Sequence, residues 1–310
     1  MASLIFIDTN IYLDFYRFSG TDTNLSILQH LESNHDRIIT TSEVEMEYKK
    51  NRQNVILQSL TTLKTFGSDS LVVPAFLKES KTHISLVKLQ KSLVHQTNKL
   101  KERTAKLLES PGRNDPVYKV LQRLFRARGF CHLTRENRNK IAIRREATQR
   151  FLLGYPPRKP NDFSMVDAIN WEWIIHCAQN STNDTIIVSR DSDYGRVYQN
   201  KPILNDWLLH EFKERVSHKR SIILTNSLTK AFKLATIPVS KEEEKFEQEL
   251  LETKRFEVDS IQRFPNFDPT WSSDIKNKWF NEFAHLVMKL TIEKKSLMNQ
   301  QVKSLHKRDS

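Results

Sequence analysis

Short apolar runs, each followed by a segment with helical spacing, are the feature that most limits how this chain can fold. Residues 4–8 begin with an apolar run rich in isoleucine, and residues 37–40 repeat this pattern further along. Between them, residues 25–34 carry leucines three positions apart, which is typical of a helix. The same alternation returns over residues 165–235. Alternating strands and helices predict a parallel sheet with helices packed against it.

Acidic residues stand at the ends of these strands. Asp8 closes the run Leu4–Ile7, and Asp191 comes just after the strand predicted at residues 185–189. In an open α/β sheet, ligands bind beyond the carboxyl ends of the strands, where acids from distant parts of the sequence converge. Carboxylate oxygens are the ligands that a hard divalent cation prefers. The pattern therefore predicts metal-assisted phosphodiester chemistry with one or two Mg²⁺ or Mn²⁺ ions.

The overall charge indicates a polyanionic partner. The formal net charge of the 310 residues is +12, from 49 Lys and Arg against 37 Asp and Glu. This excess favours nucleic acid as partner over an anionic membrane, with simple solubility as the alternative reading. Cys131 and Cys177 lack metal-site spacing, so we expect reduced thiols and a cytoplasmic protein. Neither a signal peptide nor a membrane span of ~18 apolar residues is expected.

Composition divides the chain into three predicted parts: an α/β region at 1–75 and 160–238, a helical insertion at 76–159, and a helical C-terminal extension at 239–310. The insertion is the most basic part, since residues 121–160 hold eleven Lys or Arg against two acids. A solvated helical surface would explain scattered basic residues, but this density favours a phosphate-binding face. Six arginines are the candidates for that face: Arg123, Arg126, Arg128, Arg144, Arg145 and Arg150.

The C-terminal extension has two notable features. Its acidic run Glu242-Glu243-Glu244 is expected to be a solvated helix face. Residues 273–303 carry an apolar stripe with Trp279 and Phe283, which predicts an amphipathic helix. Because such a stripe needs burial, we expect the C-terminal helices to bind a protein partner or a second copy of the chain.

Four segments of the α/β region resemble, in order, the motifs of PIN-domain nucleases. They are Ile5–Asn10, a strand ending in Asp-x-Asn; Thr41–Tyr48, a capped helix carrying a Glu; Val166–Trp171, a helix opening with Asp; and Ile187–Tyr194, a strand followed by Ser-x-Asp-x-Asp. Val166 departs from the family, which commonly has Gly there. The run Glu47–Arg52 and the long insertion resemble a large bacterial PIN-like branch. The resemblance implies a PIN-like α/β fold, with a central parallel sheet flanked by helices.

The resemblance also implies roles for individual residues. The predicted catalytic acids are Asp8, Glu47, Asp167 and Asp191, and the predicted metal ligands are Asp8, Asp167, Asp191 and Asp193. Asn10 and Ser189 are expected to hydrogen bond to these ligands and fix their orientation. Glu43 and Glu45 compete with Glu47 for the helix position, but the spacing from the capping residue Ser42 favours Glu47.

The implied activity is that of a metal-dependent endoribonuclease, with structured or single-stranded RNA as substrate and tRNA as one candidate. The resemblance to bacterial relatives adds a toxin or antiviral defence role as an expectation. Two alternatives stay open: a structure-specific DNA nuclease, and a catalytically inactive PIN-like module that binds nucleic acid. Three aromatic residues of the insertion are candidates for base stacking, although core packing is the commoner role for such residues: Phe125, Phe130 and Tyr155.

Overall fold

A five-stranded parallel sheet forms the centre of the molecule. The computed structural model describes residues 3–17, 21–61, 73–158, 164–199 and 201–263. The strands of this sheet are β1 (Ser3–Ile7), β2 (Ile38–Thr41), β3 (His132–Leu133), β4 (Asp184–Val188) and β7 (Ile222–Thr225), and a separate antiparallel hairpin contains β5 (Gly195–Tyr198) and β6 (Lys201–Leu204). The order in the central sheet is β3-β2-β1-β4-β7. The α/β prediction is therefore confirmed.

The register of the sheet brings the ends of its middle strands together. Ile5 of β1 pairs with Ile38 on one side and with Ile186 on the other. Every residue of β1 is buried, as expected for a central strand with helices on both faces. Since the strands are parallel and in register, Asp8 and Ser189 emerge at the same edge of the sheet, next to the end of β2.

Eleven helices surround the sheet in the described part of the chain. They are α1 (Thr9–Asp14), α2 (Thr21–Ser33), α3 (Ser42–Thr61), α4 (Lys81–Glu109), α5 (Pro111–Asn114), α6 (Pro116–Arg126), α7 (Lys140–Leu153), α8 (Val166–Gln179), α9 (Asp206–Arg215), α10 (Leu228–Leu234) and α11 (Lys241–Arg263). Helix α3 starts directly after β2 because the Thr41 hydroxyl accepts a hydrogen bond from the Val44 amide at 3.0 Å. Helix α8 is buried along most of its length. It is therefore a core element of the fold.

The region predicted as a helical insertion, 76–159, is only partly separate from the sheet domain. Strand β3 joins the central sheet beside β2, with Thr40 opposite His132. Helix α6 buries Leu121 and Leu124 in the same hydrophobic core as the sheet. The prediction of a helical insertion is therefore wrong at β3. The sequence did not reveal this strand, because two residues are too short to leave a periodic pattern. Helix α4, in contrast, is exposed over most of its length.

The hairpin β5–β6 was also absent from the sequence prediction. Its first residue, Gly195, packs so closely on β6 that an added Cβ would collide with the backbone carbonyl of Ile203. Only glycine fits at such an approach. The segment that carries Asp191 and Asp193 ends where the hairpin begins, at Gly195.

Two compact units are present, one from Met1 to Glu252 and one from Thr253 to Ser310. The boundary lies later than the predicted start of the extension at 239, because the first turns of α11 pack on the sheet unit. Glu243 is buried there, and its carboxylate accepts hydrogen bonds from the Ser26 hydroxyl (2.5 Å) and from the Ser240 amide (2.7 Å). Its own backbone amide donates to the Ser240 hydroxyl at 3.1 Å, which completes a capping box. The acidic run is thus not simply a solvated face. The stripe predicted at 273–303 lies outside the described residues.

Two further predictions concern the environment of the protein. Both Cys131 and Cys177 are free thiols in the buried core. Among the described helices, none combines the length and the apolar character that crossing a membrane requires.

Candidate active site

Asp8 lies at the centre of the candidate site. It is the N-cap of α1, and its Oδ1 atom accepts a hydrogen bond from the Thr9 amide at 2.7 Å. Its Oδ2 atom accepts two more, from the Ser189 hydroxyl at 2.5 Å and from the Asn10 side-chain amide at 2.9 Å. These three donors fix the orientation of a carboxyl group that is only 7% exposed.

The Ser189 hydroxyl connects Asp8 to the segment after β4. While it donates to Asp8, it accepts a hydrogen bond from the Asp191 amide at 3.1 Å. Ser189 itself is held in the sheet, since its backbone amide donates to the Thr225 carbonyl at 3.0 Å. The position of Asp191 relative to Asp8 is therefore set through one hydroxyl group.

The pKa of the Asp8 carboxyl is raised to about 7. Burial is the largest cause, and the negative charges of Asp191 and Glu47 add to its effect. The hydrogen bond from Ser189 and that from the Thr9 amide act in the opposite direction. Asp8, Asp191 and Glu47 are thus close enough to repel one another electrostatically. A site of this kind has an excess of negative charge that a cation would neutralise.

Glu47 reaches the site from the second turn of α3. Its Oε2 atom accepts a hydrogen bond from the Thr9 hydroxyl at 2.8 Å. Thr9 is adjacent to Asp8, so this bond ties α3 to the start of α1. Glu43, one turn earlier, is buried and binds Arg144 at 3.0 Å, while Glu45 binds Lys49 at 2.6 Å. Of the three glutamates considered, Glu47 is the one whose charge acts on Asp8.

Tyr194 is the residue on which the charges of the remaining acids act. This side chain is fully buried, and its pKa is raised by burial first and then by the charges of Asp167, Asp8 and Asp193. The charges of three predicted metal ligands therefore act on this side chain. Asp167 is half-buried in the first turn of α8, and Asp193 is buried.

The charges of Asp191 and Glu47 act on Asp8, and those of Asp167, Asp8 and Asp193 act on Tyr194. The structure also singles out residues that the sequence reasoning did not name. Thr9 donates a hydrogen bond to Glu47, and the buried Tyr194 feels the charges of Asp8 and Asp167. Asn170 lies one turn after Asp167 and accepts a hydrogen bond from the Thr41 hydroxyl at 2.7 Å. Each of these residues falls inside a motif quoted above, but only the tertiary contacts distinguish it from its neighbours.

The donor chemistry of this site fits a hard divalent cation. All the convergent acidic groups offer carboxylate oxygens, and the buried Asn10 Oδ1 atom accepts no hydrogen bond from the described residues. In the described ranges, no group of three or more His, Cys, Asp or Glu side chains is arranged to hold an ion. The fit therefore rests on the type of donor and on the charge of the site.

The six candidate arginines fall into different environments. Arg126, Arg128 and Arg145 are exposed. Arg123 is exposed and bonded to Glu32, and Arg144 is exposed and bonded to Glu43.

Arg150 differs from these five, because it is only 4% exposed and its guanidinium binds Glu172 at 2.7 Å and also Glu211. Its interactions are internal, so the prediction that Arg150 contacts nucleic acid is wrong. Among the aromatic candidates, Phe125 is buried in the core, whereas Phe130 and Tyr155 are exposed.

A cleft of about 730 Å³ lies beside the site, where β2 and β3 end. Arg126, Arg128 and Arg135 line it, together with Thr41. Thr41 also bonds to Asn170 on α8, so the wall of the cleft is connected to the helix that carries Asp167. Glu45 and Glu136 also line the cleft, so its three arginines leave a small excess of positive charge that suits a phosphodiester chain.

Comparison with known proteins identifies one family. The model of the PIN domain family matches residues 5–194, which is more than half of the chain and includes the five candidate acids Asp8, Glu47, Asp167, Asp191 and Asp193. No curated protein and no solved structure shows significant similarity to the chain.

Proposed function

Because the chain belongs to the PIN domain family, we propose that it is a metal-dependent endoribonuclease. Family membership supports a nuclease that acts on nucleic acid and that generally uses a divalent metal ion. The proposal adds RNA as the substrate, Mg²⁺ or Mn²⁺ as the ion and internal cleavage as the reaction. A 3′-hydroxyl and a 5′-phosphate are the proposed new ends.

One observation carries the metal part of the proposal. Asp8 is buried among acids, and burial together with the charges of Asp191 and Glu47 raises its pKa to about 7. Burying a carboxylate near other acids lowers the stability of the fold, and such arrangements cluster at functional sites. Carboxylates suit the binding of a divalent cation, which would neutralise their charge. When bound, the ion would lower the pKa of a water ligand and neutralise charge on the scissile phosphate.

The residues of the chain have distinct proposed roles at this ion. Asp8, Asp167 and Asp191 would bind it directly or through water, with Asp193 as a further ligand. Ser189 and Asn10 hold the Asp8 carboxylate in one orientation through its Oδ2 atom. Glu47 is directed towards the site by the Thr9 hydroxyl and is placed to orient the attacking water.

The proposed nucleic-acid contacts are the exposed arginines of the basic region, with Arg126 and Arg128 in the cleft as the main ones. Arginine contacts to phosphate position the strand without reading its sequence. Arg123, Arg144 and Arg145 remain proposed phosphate contacts at the surface. A strand held in this cleft would pass the carboxylates at the adjacent edge of the sheet.

The deciding experiment compares cleavage of matched RNA and DNA oligonucleotides, and of total cellular RNA, in the presence of Mg²⁺ or Mn²⁺. We expect cleavage of RNA by the wild-type protein and loss of at least about 10²-fold in Asp8→Asn, since this substitution removes a proposed metal ligand. Glu79→Gln, at an exposed acid remote from the motifs, is the matched control and should cleave normally.

Three outcomes would contradict the proposal in different ways. Preferred cleavage of DNA would favour the structure-specific DNA nuclease. Binding of RNA without cleavage by any variant would favour the inactive binding module. Fragments that persist unchanged in Asp8→Asn would point to a contaminating nuclease.

The cellular role is proposed to be that of a cytoplasmic, growth-arresting effector, as a toxin or in antiviral defence. Expression of the wild-type chain should then slow growth and produce new RNA ends, whereas Asp8→Asn should do neither. A growth defect of equal size in both would show that the effect does not come from cleavage.

A further inference from the structure

We propose that Glu247 of α11 and Arg190 form a clamp that holds the segment Ser189–Asp193 in position for the candidate active site. The inference deepens the nuclease proposal and rests on it for the identity of the site. Both Glu247 and Arg190 are positioning residues that act through the backbone on either side of Arg190.

Glu247 belongs to the first half of α11, within the compact unit that ends at Glu252. It is 4% exposed and accepts hydrogen bonds at the start of α10 from the amides of Leu228 (2.6 Å) and Thr229 (2.8 Å). The hydroxyls of Ser227 (2.7 Å) and Thr229 (2.6 Å) donate to it as well. A buried carboxylate with this many donors is held rigidly.

Arg190 is attached to three separate elements. Its Nη2 atom donates to Glu247 at 3.2 Å, its Nε atom donates to the Asn226 carbonyl at 3.1 Å, and its Nη1 atom is in contact with Asp14 of α1. Burial lowers the pKa of this guanidinium, and the charge of Glu247 acts in the opposite direction. Arg190 is therefore a buried cation that the surrounding carboxylates stabilise.

The position of Arg190 in the sequence links this clamp to the site. Its neighbour on one side, Ser189, donates to Asp8, and its neighbour on the other side, Asp191, donates through its amide to Ser189. A side chain anchored at three points restricts the backbone dihedrals between these two neighbours. The clamp consequently fixes where the Asp191 carboxylate can lie relative to Asp8.

Removing the charge of Glu247 would release this restraint. Among the described residues, the ion pair of Arg190 that would remain is the one with Asp14, which also binds Arg17 at 2.9 Å. A guanidinium that shifts towards Asp14 pulls the backbone of Ser189–Asp191 with it. Displacing outer contacts of metal ligands commonly weakens metal affinity by about 10- to 100-fold.

The test uses the full-length protein and two measurements, hydrogen exchange of the amides in 189–194 and the Kd for Mn²⁺. The clamp variants are Glu247→Gln and Arg190→Lys, which keep side-chain size or charge. Glu242→Gln controls for a lost negative charge on an exposed position of the same helix. Leu250→Ala controls for loss of stability, since Leu250 is buried on α11 and carries no charge.

We expect both clamp variants to exchange the amides of 189–194 about tenfold faster than wild type and to bind Mn²⁺ about tenfold more weakly. Glu242→Gln should match wild type in both. Leu250→Ala should lower the unfolding midpoint while keeping the wild-type exchange in 189–194. Arg190→Lys serves as the deciding variant if Glu247→Gln does not fold.

Wild-type exchange in both clamp variants would overturn the inference, as would equal effects in Leu250→Ala. These outcomes are distinct from failure of the proposed function. A wild-type protein that neither binds Mn²⁺ nor cleaves RNA would refute the nuclease proposal, while the exchange measurement would still decide whether the clamp holds the segment.

Discussion

Neutralising Asp8 should stabilise the metal-free protein at alkaline pH, and the size of the effect follows from the site. The pKa of Asp8 rises from 3.8 to about 7 on folding, mainly through burial. The folded state therefore holds this proton more tightly than the unfolded chain does. Stability from the group is fully present below pH 3.8 and is lost as the pH rises through about 7.

The magnitude can be estimated from this difference. Each unit of pKa difference corresponds to about 1.4 kcal/mol, so raising the pH from about 5 to 8 should cost wild type about 3 kcal/mol of unfolding free energy at this group. Asp8→Asn cannot ionise and should not lose this amount. The amide also gives up part of the hydrogen bonding at Oδ1 or Oδ2, which should cost about 1 kcal/mol at every pH.

The assay is urea unfolding in EDTA at pH 5, 6, 7 and 8, with Glu79→Gln as an exposed-acid control. Between pH 5 and 8 the free energy of unfolding should fall by about 3 kcal/mol less in Asp8→Asn than in wild type or in the control. Added Mg²⁺ should then raise the stability of wild type at pH 8 and leave Asp8→Asn unchanged. Identical pH slopes in wild type and Asp8→Asn would refute the argument that burial and neighbouring acids raise the pKa of this carboxylate.

Three further predictions concern the surroundings of the site. Replacing Arg126 and Arg128 together by Ala should weaken RNA binding and reduce the slope of log Kd against log salt by about 0.7 per lost phosphate contact, measured by fluorescence anisotropy; an unchanged slope would exclude them from the binding face. Arg150→Met should lower the unfolding free energy by about 1.5–3 kcal/mol because Glu172 and Glu211 lose one of their two arginine partners and keep Arg215, while the folded fraction binds RNA with wild-type affinity. Gly195→Ala should cost about 3 kcal/mol in thermal unfolding because its Cβ would strike the Ile203 carbonyl; a wild-type midpoint would show that the hairpin can move away.

The family and the architecture could be predicted from local patterns, since short buried strands and amphipathic helices leave periodic signals. Strand β1, for example, lies within one residue of the run predicted at residues 4–8. Strand β3 could not be predicted, because a pair of residues such as His132 and Leu133 has no period of its own. The burial of Glu243 was likewise missed, since a run of acids reads as solvated unless its capping contacts are known.

The sequence alone predicted the parallel sheet and placed Asp8 and Asp191 just after two of its strands, because short buried strands and the polar residues that end them are readable locally. Only the tertiary structure decided what each polar group does there. Burial separates Arg150, paired with internal carboxylates, from Arg126 at the cleft, although both look alike in sequence. The contacts of Arg190 arise from α1, the turn after β7 and α11, which are far apart in the chain, and no local pattern encodes that meeting.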